Sequence, residues 1–139
     1  MDSLDHSLIS KLRLNARASV ADLAKALKVS RGTISNRLAR LEKEGVIVGY
    51  TLKLRPDATP NEIVAWTGIA VEGNQQVVLH ALLGEPGIAA LHDTNGRWDL
   101  LAELRVDNLA DLASALERIR KIKGISATET SIHLQSYRG

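Results

Sequence analysis

The sequence contains no cysteine and no phenylalanine, and aromatic residues make up only 3% of its 139 positions. Without cysteine there is no disulfide framework and no thiolate metal site. With so few aromatics, the core has to be built from Leu, Ile, Val and Ala. No stretch of about twenty apolar residues occurs, so no membrane-spanning helix is expected. The opening MDSLDHSLISKL has Asp2 and Asp5 where a secretory leader carries Lys or Arg, so a cytoplasmic protein is expected. His6, His80, His92 and His133 are scattered, without metal-ligand spacing, and neither a glycine-rich phosphate loop nor a nucleophile motif is present. The expectation is a protein with no catalytic residues, no metal and no cofactor, and thus not an enzyme.

What is present is an uneven distribution of charge. Residues 1–60 hold 11 Lys and Arg against 6 Asp and Glu, whereas residues 61–139 hold 7 against 10. A basic head on an acidic body suits a polyanionic partner of the head. A chain of this length fits one medium or two small domains, and two small aliphatic cores bury limited area each. Association of copies would supply further burial, so an oligomer is expected.

The head reads as three short helices. The first covers about Ser3–Asn15, with Leu4, Leu8, Ile9 and Leu12 on one face and Asp2 or Ser3 as its cap. Asp5 suits its positive end. Ser19 caps a second helix, Val20–Leu27, with Leu23, Ala24 and Leu27 as its apolar face. Ser30 caps a third, about Arg31–Glu44, which Gly45 ends. Val46–Leu54 alternates like a β-strand, and the stretch Arg55 to Asn61, with Pro56 and Pro60, marks a boundary.

The body reads β-α-β-β-α-β. A strand at about Glu62–Val71 is followed by a helix at about Asn74–Leu83, ended by Gly84-Glu85-Pro86-Gly87. Ile88–Asp93 is a strand and Asn95-Gly96 a turn signal. The strand Trp98–Val106 places Trp98, Leu100, Ala102, Leu104 and Val106 on one face and Asp99, Leu101, Glu103 and Arg105 on the other. Asn108 and Asp111 form a capping pair for a helix reaching Lys123, with the stripe Leu109, Leu112, Leu116, Ile119 and Ile122 and termination at Gly124. Thr128, Thr130, Ile132 and Leu134 share a face of the last strand. This order is ferredoxin-like. The fold class expected is α+β: a helix-turn-helix head, of the plain or winged kind, at residues 1–50, a strand and linker at 51–61, and a ferredoxin-like domain at 62–139.

The third helix carries the chemistry. Ile34, Leu38 and Leu41 recur at i, i+4 and i+7 and turn inward, which at about 100° per residue leaves Gly32, Thr33, Asn36, Arg40 and Lys43 opposite, flanked by Arg31, Ser35 and Arg37. Lys and Arg neutralise phosphates, Asn pairs with adenine and Arg with guanine. Ser30, Thr33 and Ser35, with the free N–H groups at the helix start, suit phosphate, and Gly32 allows close approach of the backbone. Any solvated amphipathic helix is polar outside. What separates this one is the short helix and tight connection before it, the arrangement that enters a major groove of double-stranded DNA.

At this point the sequence resembles a known family, the leucine-responsive and asparagine-synthetase regulators (Lrp/AsnC). The resemblance is carried by Asp2 and Asp5 before Leu8-Ile9, by Arg17, Ala18-Ser19, Leu23-Ala24, Ser30, Arg37 and Arg40-Leu41-Glu42, and by Gly45-Val46-Ile47-Val48-Gly49-Tyr50. In the body, Asn95-Gly96-Arg97-Trp98-Asp99 looks like the family's Gly-x-aromatic-Asp loop and Thr128-x-Thr130 like its last strand. Two positions depart from the pattern: Lys28 and Ala16 stand where glycine is usual. In the left-handed region Lys28 would cost roughly 1 kcal/mol relative to glycine.

The resemblance implies a transcriptional regulator whose body senses a small molecule. It implies a homodimer formed through the sheets and assembling further to a tetramer or octamer. An amino acid or related effector would bind between subunits near Asn95, Gly96, Trp98 and Asp99. Asp99 offers a carboxylate to an ammonium group, and Gly96 offers open backbone. Two alternatives stand beside this reading. One is an architectural DNA-binding protein without a ligand; the other is an enzyme of the siroheme-decarboxylase type, whose heads lack the basic third helix kept here.

Overall fold

In the computed structural model, residues 1–58 and 61–138 are described, and they divide into two compact units, residues 1–53 and 54–139. Thr59 and Pro60 of the expected boundary, and Gly139, lie outside the described residues.

The first unit is a three-helix head: α1 (Ser3–Leu14), α2 (Val20–Leu27) and α3 (Arg31–Lys43). Each helix starts where a short polar side chain satisfies a free backbone donor. Asp2 accepts from the Asp5 N–H at 2.9 Å, Ser19 from Asp22 at 3.0 Å and Ser30 from Thr33 at 3.1 Å. Asp2 and Asp5 form a reciprocal capping box. Lys28, the residue closing α2, has φ 58° and ψ 45°. The left-handed bend needed between the second and third helices is thus made by a lysine. Gly45, at φ 73°, turns the chain after α3. The N–H groups of Gly45 and Val46 then return to the carbonyls of Glu42 and Leu41, the pairing that closes a helix through a glycine. Leu8, Leu23, Ala24, Ile34 and Leu41 form the buried centre of the head. Each fully buried Leu or Ile contributes about 1.5–3 kcal/mol, and Ile9, Leu12, Leu27, Leu38 and Ile47 pack around them.

The strand expected at Val46–Leu54 is absent: this stretch forms no helix or strand, and Val48, Leu52 and Leu54 are exposed. The alternation is real, but a strand exists only with a ladder partner, and no segment of this chain pairs with it among the described residues. A single 3₁₀ turn follows at Pro56–Ala58.

The second unit has the element order β1 (Ile63–Val71), α4 (Gln75–Leu83), β2 (Ile88–Asp93), β3 (Leu100–Val106), α5 (Leu109–Arg120) and β4 (Ile125–Ile132). The four strands form one sheet in the order β2-β3-β1-β4, all neighbours antiparallel. This is the ferredoxin-like topology. Ala65, Thr67 and Ile69 of β1 lie beside Leu104, Ala102 and Leu100 of β3. All six are buried, and with Val78 and Leu82 of α4 and Leu112 and Ile119 of α5 they make the core. Thr67 keeps its hydroxyl satisfied by the Thr130 hydroxyl at 2.9 Å on β4, as a buried polar group must.

Several details differ from the sequence expectation, among them Leu134, which is exposed beyond the end of β4. α5 stops at Arg120 rather than Lys123, and Gly124, at φ 103°, closes the turn that follows. Leu109 is 60% exposed, and Ala115 takes its place in the buried stripe, because Leu109 stands in the first turn of α5 while Ala115 sits midway along the packed face. β3 begins at Leu100 rather than Trp98. In the turn after α4, Glu85 is buried and receives two hydrogen bonds from the Arg118 guanidinium, at 2.9 and 2.7 Å. That pairing holds the Glu85 carboxyl below its ordinary range and ties the α4–β2 turn to α5.

Candidate nucleic-acid interface and effector loop

The outer face of α3 forms as the periodicity dictates. Ile34 and Leu41 are fully buried, Leu38 is partly so, and Arg31, Gly32, Ser35, Asn36 and Lys43 are exposed. The first turn of α3 is already engaged in its own cap. The Ser30 hydroxyl accepts from the Thr33 N–H and lies 2.8 Å from the Thr33 hydroxyl. Those two hydroxyls define the helix start, leaving Ser35 as the hydroxyl of the candidate set without such a bond among the described residues. A carbon added at Gly32 would meet nothing closer than the Ser30 hydroxyl at 4.0 Å, so no neighbour within the head requires this glycine.

The flank of α3 departs from the sequence reading. Arg37 and Arg40 do not extend freely outward. Arg37 bonds the carboxylates of Asp2 and, at 3.2 Å, Asp5; Arg40 bonds Asp5. The Asp5 side chain is completely buried, that of Arg37 is 25% exposed and that of Arg40 is 45% exposed. The Arg37 hydrogen bond, helped by the Asp5 N–H, draws the Asp2 carboxyl down to about 2. Asp5 does more than complement a helix end. A signal for this was present, since Asp5 stands at i, i+3, i+4 and i+7 with Leu8, Ile9 and Leu12, on the apolar stripe of its helix. A charge on a buried stripe calls for partners, and the two arginines supply them. Arg31 and Lys43 are the cations of α3 in no ion pair among the described residues.

In the second unit, the β2–β3 connection is a six-residue loop, 94–99, between Asp93 and Leu100, which pair across the strands. It is no two-residue hairpin turn, and Gly96 lacks a left-handed φ. The Thr94 hydroxyl donates to the Trp98 carbonyl at 2.6 Å and accepts from the Gly96 N–H at 3.3 Å. Trp98 does not share the core face of Leu100, because strand alternation starts only at Leu100. Its ring lies on the backbone of Gly68, where an added carbon would stand 2.5 Å from Trp98 Cγ. Gly68 falls between Trp66 and Ala70 on the sheet face away from the helices, and Arg97 stacks on the ring at 5.2 Å. Asp99 is exposed and its Oδ2 accepts the Val71 N–H at 2.8 Å, at the end of β1. Asn95 and Gly96 are exposed at the loop tip. The structure thus brings Trp98 and Asp99 onto the far half of β1, through a glycine the sequence reading passed over. A glycine inside a strand is itself a sign of close approach.

Among the described residues, no group of three or more His, Asp or Glu is placed to hold a metal, and no helix is long and apolar enough to cross a membrane.

Comparison with known proteins agrees with this geometry. Residues 1–42 match the AsnC-type helix-turn-helix domain and residues 65–138 the Lrp/AsnC ligand-binding domain. An uncharacterised helix-turn-helix-type transcriptional regulator of Pyrococcus abyssi is 29% identical over 136 residues, covering 97% of this chain and 92% of the relative. Escherichia coli AsnC superposes with a TM-score of 0.79 at 26% identity, covering 100% of this chain and 95% of that one. A transcriptional regulator of Neisseria meningitidis, solved in complex with L-Met, has the same fold at a TM-score of 0.81 and 17% identity, covering 100% of this chain and 93% of that one. The chain belongs to the Lrp/AsnC family: it is a transcriptional regulator with a helix-turn-helix DNA-binding head and a ligand-binding domain of the family's α+β type.

Proposed function

We propose that the protein is a cytoplasmic, sequence-specific regulator rather than an enzyme. In this reading it sets α3 into the major groove of duplex DNA, and an amino acid or related metabolite bound between subunits modulates it. The observation that carries the DNA reading is the exposed row Arg31, Ser35, Asn36 and Lys43 opposite the buried Ile34 and Leu41. Asn36 is the base-reading candidate, and Arg31 and Lys43 serve phosphate or guanine. Gly32 and the free N–H groups at the helix start sit closest to the backbone. Ser30 and Thr33 hold that start in place, and Arg37 and Arg40 flank it on the side of α1.

The effector reading places the ligand at Asn95, Gly96, Trp98 and Asp99. One Asp99 oxygen is taken by the Val71 N–H; the other is left for an ammonium group. A homodimer, or a tetramer or octamer built from it, would place two heads on a pseudo-palindromic site. The exposed Trp66, on the sheet face away from the helices, supports such association. The hydrogen bond that Asp99 accepts from the Val71 N–H also favours a second reading, in which the loop is structural and the protein is an architectural DNA binder without an effector.

The DNA reading is tested with a duplex selected by the protein from a random pool. Asn36→Ala is expected to reduce the preference for the selected duplex over unselected DNA by about 1–3 kcal/mol. An unchanged preference removes Asn36 as the base-reading residue.

A further inference from the structure

We infer that Asp2 and Asp5 are specificity-setting residues of the head: by holding Arg37 and Arg40 against α1, they withhold two of the four cations of α3 from the phosphate backbone. This rests on α3 being the DNA-facing helix. The four cations are Arg31, Arg37, Arg40 and Lys43. Two of them end on α1 carboxylates, one of which is wholly buried and the other half-exposed beside its arginine. A guanidinium bound to a carboxylate is neutral as a unit, and a phosphate approaching it also meets the ionised Asp2.

Sequence-independent affinity scales with the number of phosphates neutralised. Discrimination comes from base edges. Masking two cations therefore lowers attraction to any duplex while leaving Asn36, Ser35, Arg31 and Lys43 in place. The α1 residues act on recognition without touching DNA, through the arginines they position.

The test uses the full chain and a random-sequence 30-base-pair duplex, titrated between 50 and 200 mM salt. Asp2→Asn keeps the cap of α1, since Asn caps as well as Asp, and frees Arg37 from one of its two carboxylates. Asp5→Asn frees Arg40. Each is expected to bind the random duplex more tightly at low salt and to lose about threefold more affinity than the parent chain across that salt range for each phosphate newly neutralised. Asp5→Asn combined with Arg40→Gln is expected to return to the parent slope. Circular dichroism of each variant establishes that the helices persist; were Asp5→Asn to unfold, Asp2→Asn alone decides. A slope unchanged or flattened in a folded variant overturns the inference. Lys43→Ala separates the two levels of argument. If it flattens the slope while the Asp variants do not steepen it, masking is wrong and α3 docking stands. If it changes nothing, α3 docking fails and the inference falls with it.

Discussion

Replacing Gly68 by alanine places a methyl carbon 2.5 Å from Trp98 Cγ and 2.6 Å from Cδ1 and Cδ2. Carbon atoms rest at about 3.5–4.0 Å, so the ring has to retreat by about 1 Å or more. The obstacle is a ring system, not the tip of a flexible chain. Its backbone is held on both sides, by the Thr94 hydroxyl on the Trp98 carbonyl and by Asp99 on the Val71 N–H. Overpacking of this kind costs about 1–3 kcal/mol. For a unit of this size about 2 kcal/mol lowers the midpoint of thermal unfolding by about 8–16 °C.

The assay is thermal and urea unfolding of Gly68→Ala, Trp98→Ala and the double variant. Removing the ring removes the clash, so Gly68→Ala in the Trp98→Ala background should cost little. The double-variant cycle should then give a coupling of about 1–3 kcal/mol. A Gly68→Ala protein within about 2 °C of the parent, or additive single effects, would refute the placement of Trp98 on β1. The same displacement should disturb the ligand proposed for the loop, although Gly68 offers no chemistry of its own.

Lys28→Gly should stabilise the head by about 0.5–1 kcal/mol, because glycine enters the left-handed region freely but loses more chain entropy on folding; Lys28→Ala controls for the lost charge, and a glycine variant less stable than the alanine one would contradict this. Acid unfolding should expose the Asp2–Arg37 pair: Asp2 is depressed from 3.8 to about 2, chiefly by its hydrogen bond to Arg37. Its contribution is therefore complete above the unfolded value and lost as pH falls through the folded one. Unfolding of the parent chain should thus steepen between about pH 4 and 2 relative to Asp2→Asn; identical pH profiles would remove the pair as a source of stability. Calorimetry over the standard amino acids should give heat with the parent chain and none with Asp99→Ala, with coupling to DNA affinity of about 1–3 kcal/mol; a parent chain silent to every amino acid would leave the architectural reading in place.

Much of this protein is legible from local rules. Three caps in the head, at Asp2, Ser19 and Ser30, and one in the body, at Asn108, fall where short polar side chains precede apolar periodicity. Ile34, Leu38 and Leu41 determine which face of α3 turns inward, and the cost assigned to Lys28 follows from a bend the chain must make. These features depend on neighbours three or four residues away, which a sequence displays directly. Tertiary structure decided what depends on partners remote in the chain. Val46–Leu54 has the pattern of a strand, but no described segment of this chain offers it a ladder. Trp98 keeps the alternation of β3 in sequence only, because the strand starts two residues later and Gly68, thirty positions earlier, offers the flat backbone on which the ring rests. Arg37 and Arg40 carry the charge expected of a DNA-reading helix. Where that charge goes was settled by Asp2 and Asp5, more than thirty residues away, because a buried carboxylate has to be neutralised by whichever cations the packing brings to it.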